Sequence, residues 1–182
     1  MCLLVNKVND ELPLKTAEKD IPCLKIVQIR ENSLVLTPYR YVPVTSEVLR
    51  GEKDFLPERF EPGDYEFESC GIQAEVYAGA VHIYACTRGS TRIIMNEALS
   101  MIWPRCPHEV AVYLCTIPKG TEYMEGTFNG HKCYGSKAVR FKRELMRLGG
   151  NANTDAVFAA YAKVEQELAP VIEEIEFEDE CD

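Results

Sequence analysis

Period-two alternation of apolar and polar side chains marks CLKIVQI (23–29), YEFES (65–69) and AEVYAGAVHIYAC (74–86) as β-strands, each with one face turned to a core. LVLTPY (34–39) follows the first across the turn residues Glu31, Asn32 and Ser33 and reads as its hairpin partner, cut short by Pro38. VAVYLCTI (110–117) is the most apolar run in the chain and is expected inside the sheet. In TEYMEGTFNGHKCYGSKAVRFK (121–142), Asn129-Gly130 lies between two strand-like runs. A type I′ turn needs positive φ at both central positions, which this pair tolerates, so a hairpin is predicted. Just before it, Pro118, Lys119 and Gly120 predict a tight turn with Pro118 in the second position. Gly79 and Ala80 mark a bulge or a close backbone approach.

Helical spacing takes over elsewhere. Ile94, Met95, Ala98, Leu99 and Ile102 recur at three and four residues, which predicts a helix capped by Ser90 or Thr91 and ended by Pro104. RELMRL (143–148) predicts a short helix closed by Gly149 and Gly150. Val157, Tyr161, Val164, Leu168 and Ile172 form one stripe of a C-terminal helix, with Asn153 or Thr154 as cap, Asp155 in the first turn and Pro170 as a kink or restart. Prolines 43, 57 and 62 break any regular pattern over 42–63, and RGEKDFLPERFEPGD (50–64) reads as a surface loop. The organisation expected is a loose arm over 1–20, a core domain over 21–150, a helix packed on it over 151–176 and an acidic tail over 177–182. The fold class is α+β: a mostly antiparallel sheet with one central helix and a C-terminal amphipathic helix.

Composition narrows the class. A chain of 182 residues with 46% apolar content buries roughly 70% of its unfolded surface, enough for a core without cross-links. The eight cysteines show no C-x-x-C spacing, and MCLLVNKVND meets charge too early for a secretion signal, so a reducing cytoplasm is expected. Cys23, Cys86 and Cys115 then read as small hydrophobes in strands. No apolar run reaches the length of a membrane-spanning helix, which predicts a soluble protein with no membrane partner. The net charge is −9, yet 86–147 holds ten Lys and Arg against five acids, while 165–182 holds nine acids and no Lys or Arg. Such segregation predicts an anionic partner for one face and an acidic terminus that competes for it.

Three places offer chemistry. TRGSTR (87–92) opens a helix, where free amides and the macrodipole favour an anion, and Arg88, Gly89, Ser90, Thr91 and Arg92 would form the site. Its spacing is neither a P-loop nor a dinucleotide fingerprint, and no cofactor is predicted. His82, His108 and His131 lack a companion pair at metal-ligand spacing, so no metal is predicted, and nothing local pairs a histidine with Cys106 or Cys115 as a nucleophile. Lys119, Lys132, Lys137 and Arg140, interleaved with Tyr123 and Tyr134, supply cations and ring faces for a nucleotide-like anion. Strand alternation divides these charges between two faces, and the chain is acidic, so general nucleic-acid binding is disfavoured. The C-terminal helix, with Phe158 and Ala162 off its stripe, offers a surface for a homo-oligomer.

TAEKDIPCLKI, CTIPKGTEYMEG and CYGSKAV together resemble a group of small proteins encoded by tailed phages of gut bacteria and by their hosts. The matching positions are Gly79, His82, Ile117, Pro118, Lys119, Gly120, Thr121, Tyr123 and Ser136. The resemblance implies a phage accessory protein acting in the host cytoplasm. With the anion-site reading, the expected function is non-enzymatic capture of a small nucleotide-like ligand, or docking on a host protein, as a counter to host defence. The alternative is an enzyme acting on NAD with a split sheet similar to ADP-ribosyltransferases, its cleft formed by Lys25, His82 and Glu122.

Overall fold

The strand Ile21–Ile29 (β3) is buried without a break from Cys23 to Val27, so its alternating side chains fill two cores. The computed structural model of the chain describes residues 2–6, 14–30, 33–37, 43–56, 66–69, 72–78, 83–102, 108–128 and 130–179. The other strands are Cys2–Asn6 (β1), Lys15–Thr16 (β2), Val35–Leu36 (β4), Glu66–Ser69 (β5), Ile72–Ala78 (β6), Ile83–Ala85 (β7), Glu109–Ile117 (β8), Glu122–Phe128 (β9), His131–Ser136 (β10) and Arg140–Gly149 (β11). They form one sheet in the order β11-β8-β3-β7-β10-β9-β1-β6-β5, with β2 on β9 and β4 on β3. Every pairing among the described residues is antiparallel. Helices Ser46–Leu49 (α1), Arg88–Ile102 (α2) and Thr154–Asp179 (α3) complete an α+β fold. No helix among the described residues is long and apolar enough to cross a membrane.

On one face, Leu24, Ile26, Val110, Val112, Met146 and Leu148 pack under Ile94, Met95 and Ala98 of α2 and Val164, Leu168 and Ile172 of α3. Burial of each such side chain is worth roughly 1.5–3 kcal/mol. On the other face, Cys23, Val27, Ala111, Tyr113, Cys115 and Phe141 pack under Val44, Val48 and Phe55. Segment 42–63, expected to lack regular structure and to run into a surface loop from residue 50, is in its described part a cover for the second core, with Phe55 of the expected loop buried. Thr45 caps α1 by accepting from the Val48 N–H, and Phe55 exchanges backbone hydrogen bonds with Val139. Its apolar residues are spaced by prolines and charges rather than by a strand or helix period, which hides their burial.

Two further expectations change. Part of the supposed arm 1–20 joins the sheet, as β1 between β9 and β6 and as β2 on β9. The segment RELMRL is strand β11, not a helix. Register shifts between Phe141 and Arg143 and between Glu144 and Met146 insert extra residues, so Leu145 and Met146 are both buried and the apolar spacing imitates a helix. Pro170 sits inside a continuous α3. Caps and turns shift by smaller steps. Thr87, not Ser90 or Thr91, caps α2, accepting from the Ser90 N–H at 3.2 Å. Asn153 caps α3 as expected, accepting from the Ala156 N–H at 2.8 Å. The Pro118 turn is framed one residue later, with the Thr121 N–H donating to the Pro118 carbonyl and Gly120 at φ +82°. The β9–β10 hairpin forms with Gly130 at φ +78°, while Asn129, Gly79, Ala80 and Pro104 lie outside the described residues.

Lys25 is only 1% exposed, in the second core, with its ammonium 6.0 Å from the centre of the Phe55 ring. Burial lowers its pKa to about 8. A polar residue in a period-two pattern reads as the wet face of a strand; here the cover supplied by 44–55 makes that face a core.

Two measurements test this packing. Gly51 has φ +72°, and a Cβ there would lie 2.6 Å from the Phe141 carbonyl oxygen, so Gly51→Ala is expected to cost about 2 kcal/mol or more in urea unfolding. A loss under about 0.5 kcal/mol would refute the close approach. For Lys25, the folded chain binds fewer protons than the unfolded chain between about pH 8 and the ordinary lysine value near 10.4, so its contribution to stability rises with pH. The stability of the wild type relative to Lys25→Met should therefore climb from about pH 7.5 to about pH 9.5, by up to about 1.4 kcal/mol per pH unit. The raised thiols of Cys23, Cys86 and Cys115 act with the opposite sign but are common to both chains. A flat or falling difference would mean that Lys25 is not held in a desolvated site.

Candidate functional site

Among the described residues, strand β7 is three residues long and bridges β3 at Cys23 and Leu24 on one side and β10 at Cys133 and Tyr134 on the other. After Ala85 the chain leaves the sheet for α2, so the first residues of β3 and β10 have no strand between them. The sheet parts there. Pro22 stands at this opening and brings no N–H to it. The result is a cleft of about 370 Å³. Its walls carry the ammonium groups of Lys19 and Lys132 and the carboxylates of Asp20, Glu125 and Glu174. Thr87, Cys86 and Tyr134 complete the polar and aromatic lining.

One carboxylate is shared between two cations. Glu125 accepts from Lys15 at 2.9 Å and pairs with Lys132 at 3.3 Å, which leaves this trio with a surplus positive charge. Partial burial pushes the Glu125 carboxyl up, but the Lys15 hydrogen bond and the Lys132 charge prevail and hold it below its ordinary value. The Lys132 ammonium also lies 5.4 Å from the centre of the Tyr134 ring, and that ring meets Tyr123 edge-on at 5.9 Å. Burial raises the Tyr134 hydroxyl well above the usual phenol range, so it is a neutral donor at pH 7. Asp20 accepts the Lys119 N–H at 2.9 Å and fixes the 118–121 turn beside the cleft.

A smaller cleft of about 290 Å³ lies between the start of α2 and α3, lined by Arg88, Thr91, Glu165 and Glu173 among others. Arg88 itself grips Glu176 of α3 through two hydrogen bonds, at 3.2 and 3.0 Å. Ser90 is spent on the cap, its N–H and hydroxyl both bonded to Thr87. Gly89 is exposed, and a Cβ there would meet only His131 Nδ1 at an ordinary 3.5 Å, so this glycine is not required by its surroundings. Arg92 is exposed on the next turn of α2.

The expected site residues thus divide. Lys132 and Tyr134 meet at the larger cleft, Arg88 and Thr91 at the smaller one, and Lys119, Tyr123, Lys137 and Arg140 line neither. Most of the cations are neutralised within the fold rather than gathered on one open surface. Lys137 pairs with Glu122, Arg140 with Asp54 at 2.7 Å, Arg143 with Glu167 at 3.3 Å and Arg147 with Glu144 at 2.6 Å. For the enzymatic alternative, Lys25 is enclosed in the second core and Glu122 lies on β9, with β7 and β10 between. Three strand spacings separate them by roughly 14 Å, too far to act on one bond. His82 lies outside the described residues.

Little in the cleft is primed for covalent chemistry. Cys23, Cys86, Cys115 and Cys133 are free and buried. Burial raises the thiol of Cys86, which lines the cleft, to about 12 and keeps it protonated at neutral pH. Among the described residues, no group of three His, Cys, Asp or Glu side chains is placed to hold a metal. Lys19, Asp20, Glu125 and Glu174, absent from the sequence expectation, come from three separate parts of the chain. The one local signal is the proximity of Asp20 to the start of β3, which assigning 1–20 to an arm obscured. Comparison with protein-family models, with curated proteins and with solved structures finds no match for this chain.

Proposed function

We propose that the protein is a non-enzymatic binder that holds a small nucleotide-like anion in the cleft where β3 and β10 part. The observation that carries this reading is the convergence of Lys19, Lys132 and Tyr134 on one concave opening of about 370 Å³, a size that suits a small ligand. An anionic group would sit between Lys19 and the Lys15–Glu125–Lys132 trio, where one carboxylate serves two ammonium groups. Asp20 and Glu174 would accept hydrogen bonds from the amino groups of a base, and the Tyr134 ring would give it an apolar wall. The mixture of signs fits a ligand that bears both an anion and N–H donors better than it fits bare phosphate. Because Lys132 is half exposed, its pair with Glu125 costs little to rearrange. The protonated Cys86 thiol and the separation of Lys25 from Glu122 favour capture over turnover. Together with the resemblance to phage-type proteins, capture extends to sequestration of a host signalling nucleotide in the cytoplasm as a counter to host defence.

Thermal unfolding against a panel of mono-, di- and cyclic nucleotides tests the reading. At least one should raise the melting temperature as its concentration passes its dissociation constant. Lys132→Ala should weaken that binding by about tenfold, the loss of one charge-assisted hydrogen bond, while Lys137→Ala, outside the cleft, should leave it unchanged. No stabilisation by any member of the panel, or equal loss in both variants, would rule the cleft out.

A further inference from the structure

Val164, Leu168 and Ile172 hold the inner side of α3 to the core. Its outer side carries a second stripe. Phe158, Ala162, Gln166, Ala169, Glu173 and Phe177 follow one another at steps of four, four, three, four and four residues, so they share one side of the helix, and all six are exposed. Phe158 and Phe177 are 69% and 70% exposed, and among the described residues the other exposed large apolar side chains are Leu14, Leu34 and Leu56, none of them on a helix. The fold therefore gains little from these two rings.

The spacing of the stripe is the same read from either end, with its midpoint between Glu167 and Leu168. A second α3 laid antiparallel about that midpoint brings Phe158 of each copy level with Phe177 of the other, Ala162 with Glu173 and Gln166 with Ala169. The two rings mark the ends of a contact roughly 28 Å long. Between them the short alanine side chains let the axes approach to about 8–10 Å.

Charge is complementary in the same arrangement. Arg92 of α2 lies beside Tyr161, whose hydroxyl feels its charge, and Glu173 walls the smaller cleft between α2 and α3, so both stand on the α2 side of the stripe. Both are exposed, and neither makes an ion pair within the chain among the described residues. A two-fold axis keeps the α2 sides of the copies together and sets each Arg92 at the level of the other copy's Glu173. On the opposite flank, Lys163 and Glu174 are eleven residues apart, three turns, and meet across the axis in the same way. Lys163 is 59% exposed and its own contact with Glu167 is long, at 3.6 Å. Antiparallel packing also lays the acidic end of each helix against the positive start of the other, whereas parallel packing would crowd like charges.

We propose that the chain forms a two-fold symmetric dimer by antiparallel packing of α3 along this stripe. A two-fold interface must be self-complementary, and a spacing that is symmetric about its midpoint, with an aromatic ring at each tip and opposite charges across the axis, meets that demand. The dimer requires nothing of the larger cleft and stands independently of ligand capture.

Sedimentation equilibrium on the full chain, from about 1 to about 100 μM, decides this. The wild type should reach twice the mass of the chain within that range. Phe177→Glu should raise the dissociation constant at least about tenfold, as loss of an interface anchor does, with its melting curve at the lowest concentration unchanged because the ring is exposed. Leu56→Glu, equally exposed but outside the stripe, should leave dimerisation as it is. Arg92→Glu and Glu173→Arg should each weaken the dimer about threefold or more, and the two changes in one chain should restore it, since each new Glu then meets a new Arg on the other copy. A chain that stays monomeric throughout leaves the stripe to a different protein and overturns the proposal. So does a dimer indifferent to Phe177→Glu, or a double charge reversal that associates no better than either single one.

Discussion

Nine consecutive backbone pairings between β3 and β8, from Ile21 opposite Ile117 to Ile29 opposite Glu109, set the side on which every neighbouring side chain falls. A slip of one residue would exchange Leu24 and Ile26 with Cys23, Lys25 and Val27 and present each core with the other's volumes. Both strands are buried on both faces, so a slip is penalised twice. The short β7 depends on the same register. Among the described residues it meets β3 at Cys23 and Leu24, and its departure after Ala85 is what opens the cleft.

Electrostatics follow from the same packing. Along the chain, the basic segment and the acidic C-terminus look like two separate surfaces. In space, α3 lies on β11 and α2, and the two segments neutralise one another through Arg88–Glu176 and Arg143–Glu167. Arg140 reaches back to Asp54 and Lys15 forward to Glu125, across 86 and 110 residues of chain. Among the described residues, the Lys15–Glu125–Lys132 trio keeps one more cation than carboxylate. Charge counts along a sequence sum residues that folding later pairs, and so overstate the field the folded surface presents.

Elements with one clean period were legible: β3, β8, the β9–β10 hairpin at Gly130, and the stripes of α2 and α3. Each of these carries its signal within a few residues, because side-chain direction there follows from local geometry alone. The failures share one cause. In β11, two bulges break the alternation, and only the pairing with β8 shows where the extra residues sit. Lys25 looks like a wet position until segment 44–55 covers it. Of the candidate site, Lys132, Tyr134, Arg88 and Thr91 were legible as cations, rings and polar groups near turns. Their partners Lys19, Asp20, Glu125, Glu174 and Glu176 were not, since no local pattern relates residues so far apart.

By itself, the sequence determined the α+β class, the main strand and helix positions and the acid-base segregation. These rest on periodicity, capping chemistry and charge, all of which act over a handful of residues. Tertiary structure alone decided that the sheet has two covered faces, that it parts beside β7, and that Glu176 pairs with Arg88. Such facts depend on which distant segments meet, and that is settled by the joint burial of two cores, not by any stretch of chain read alone.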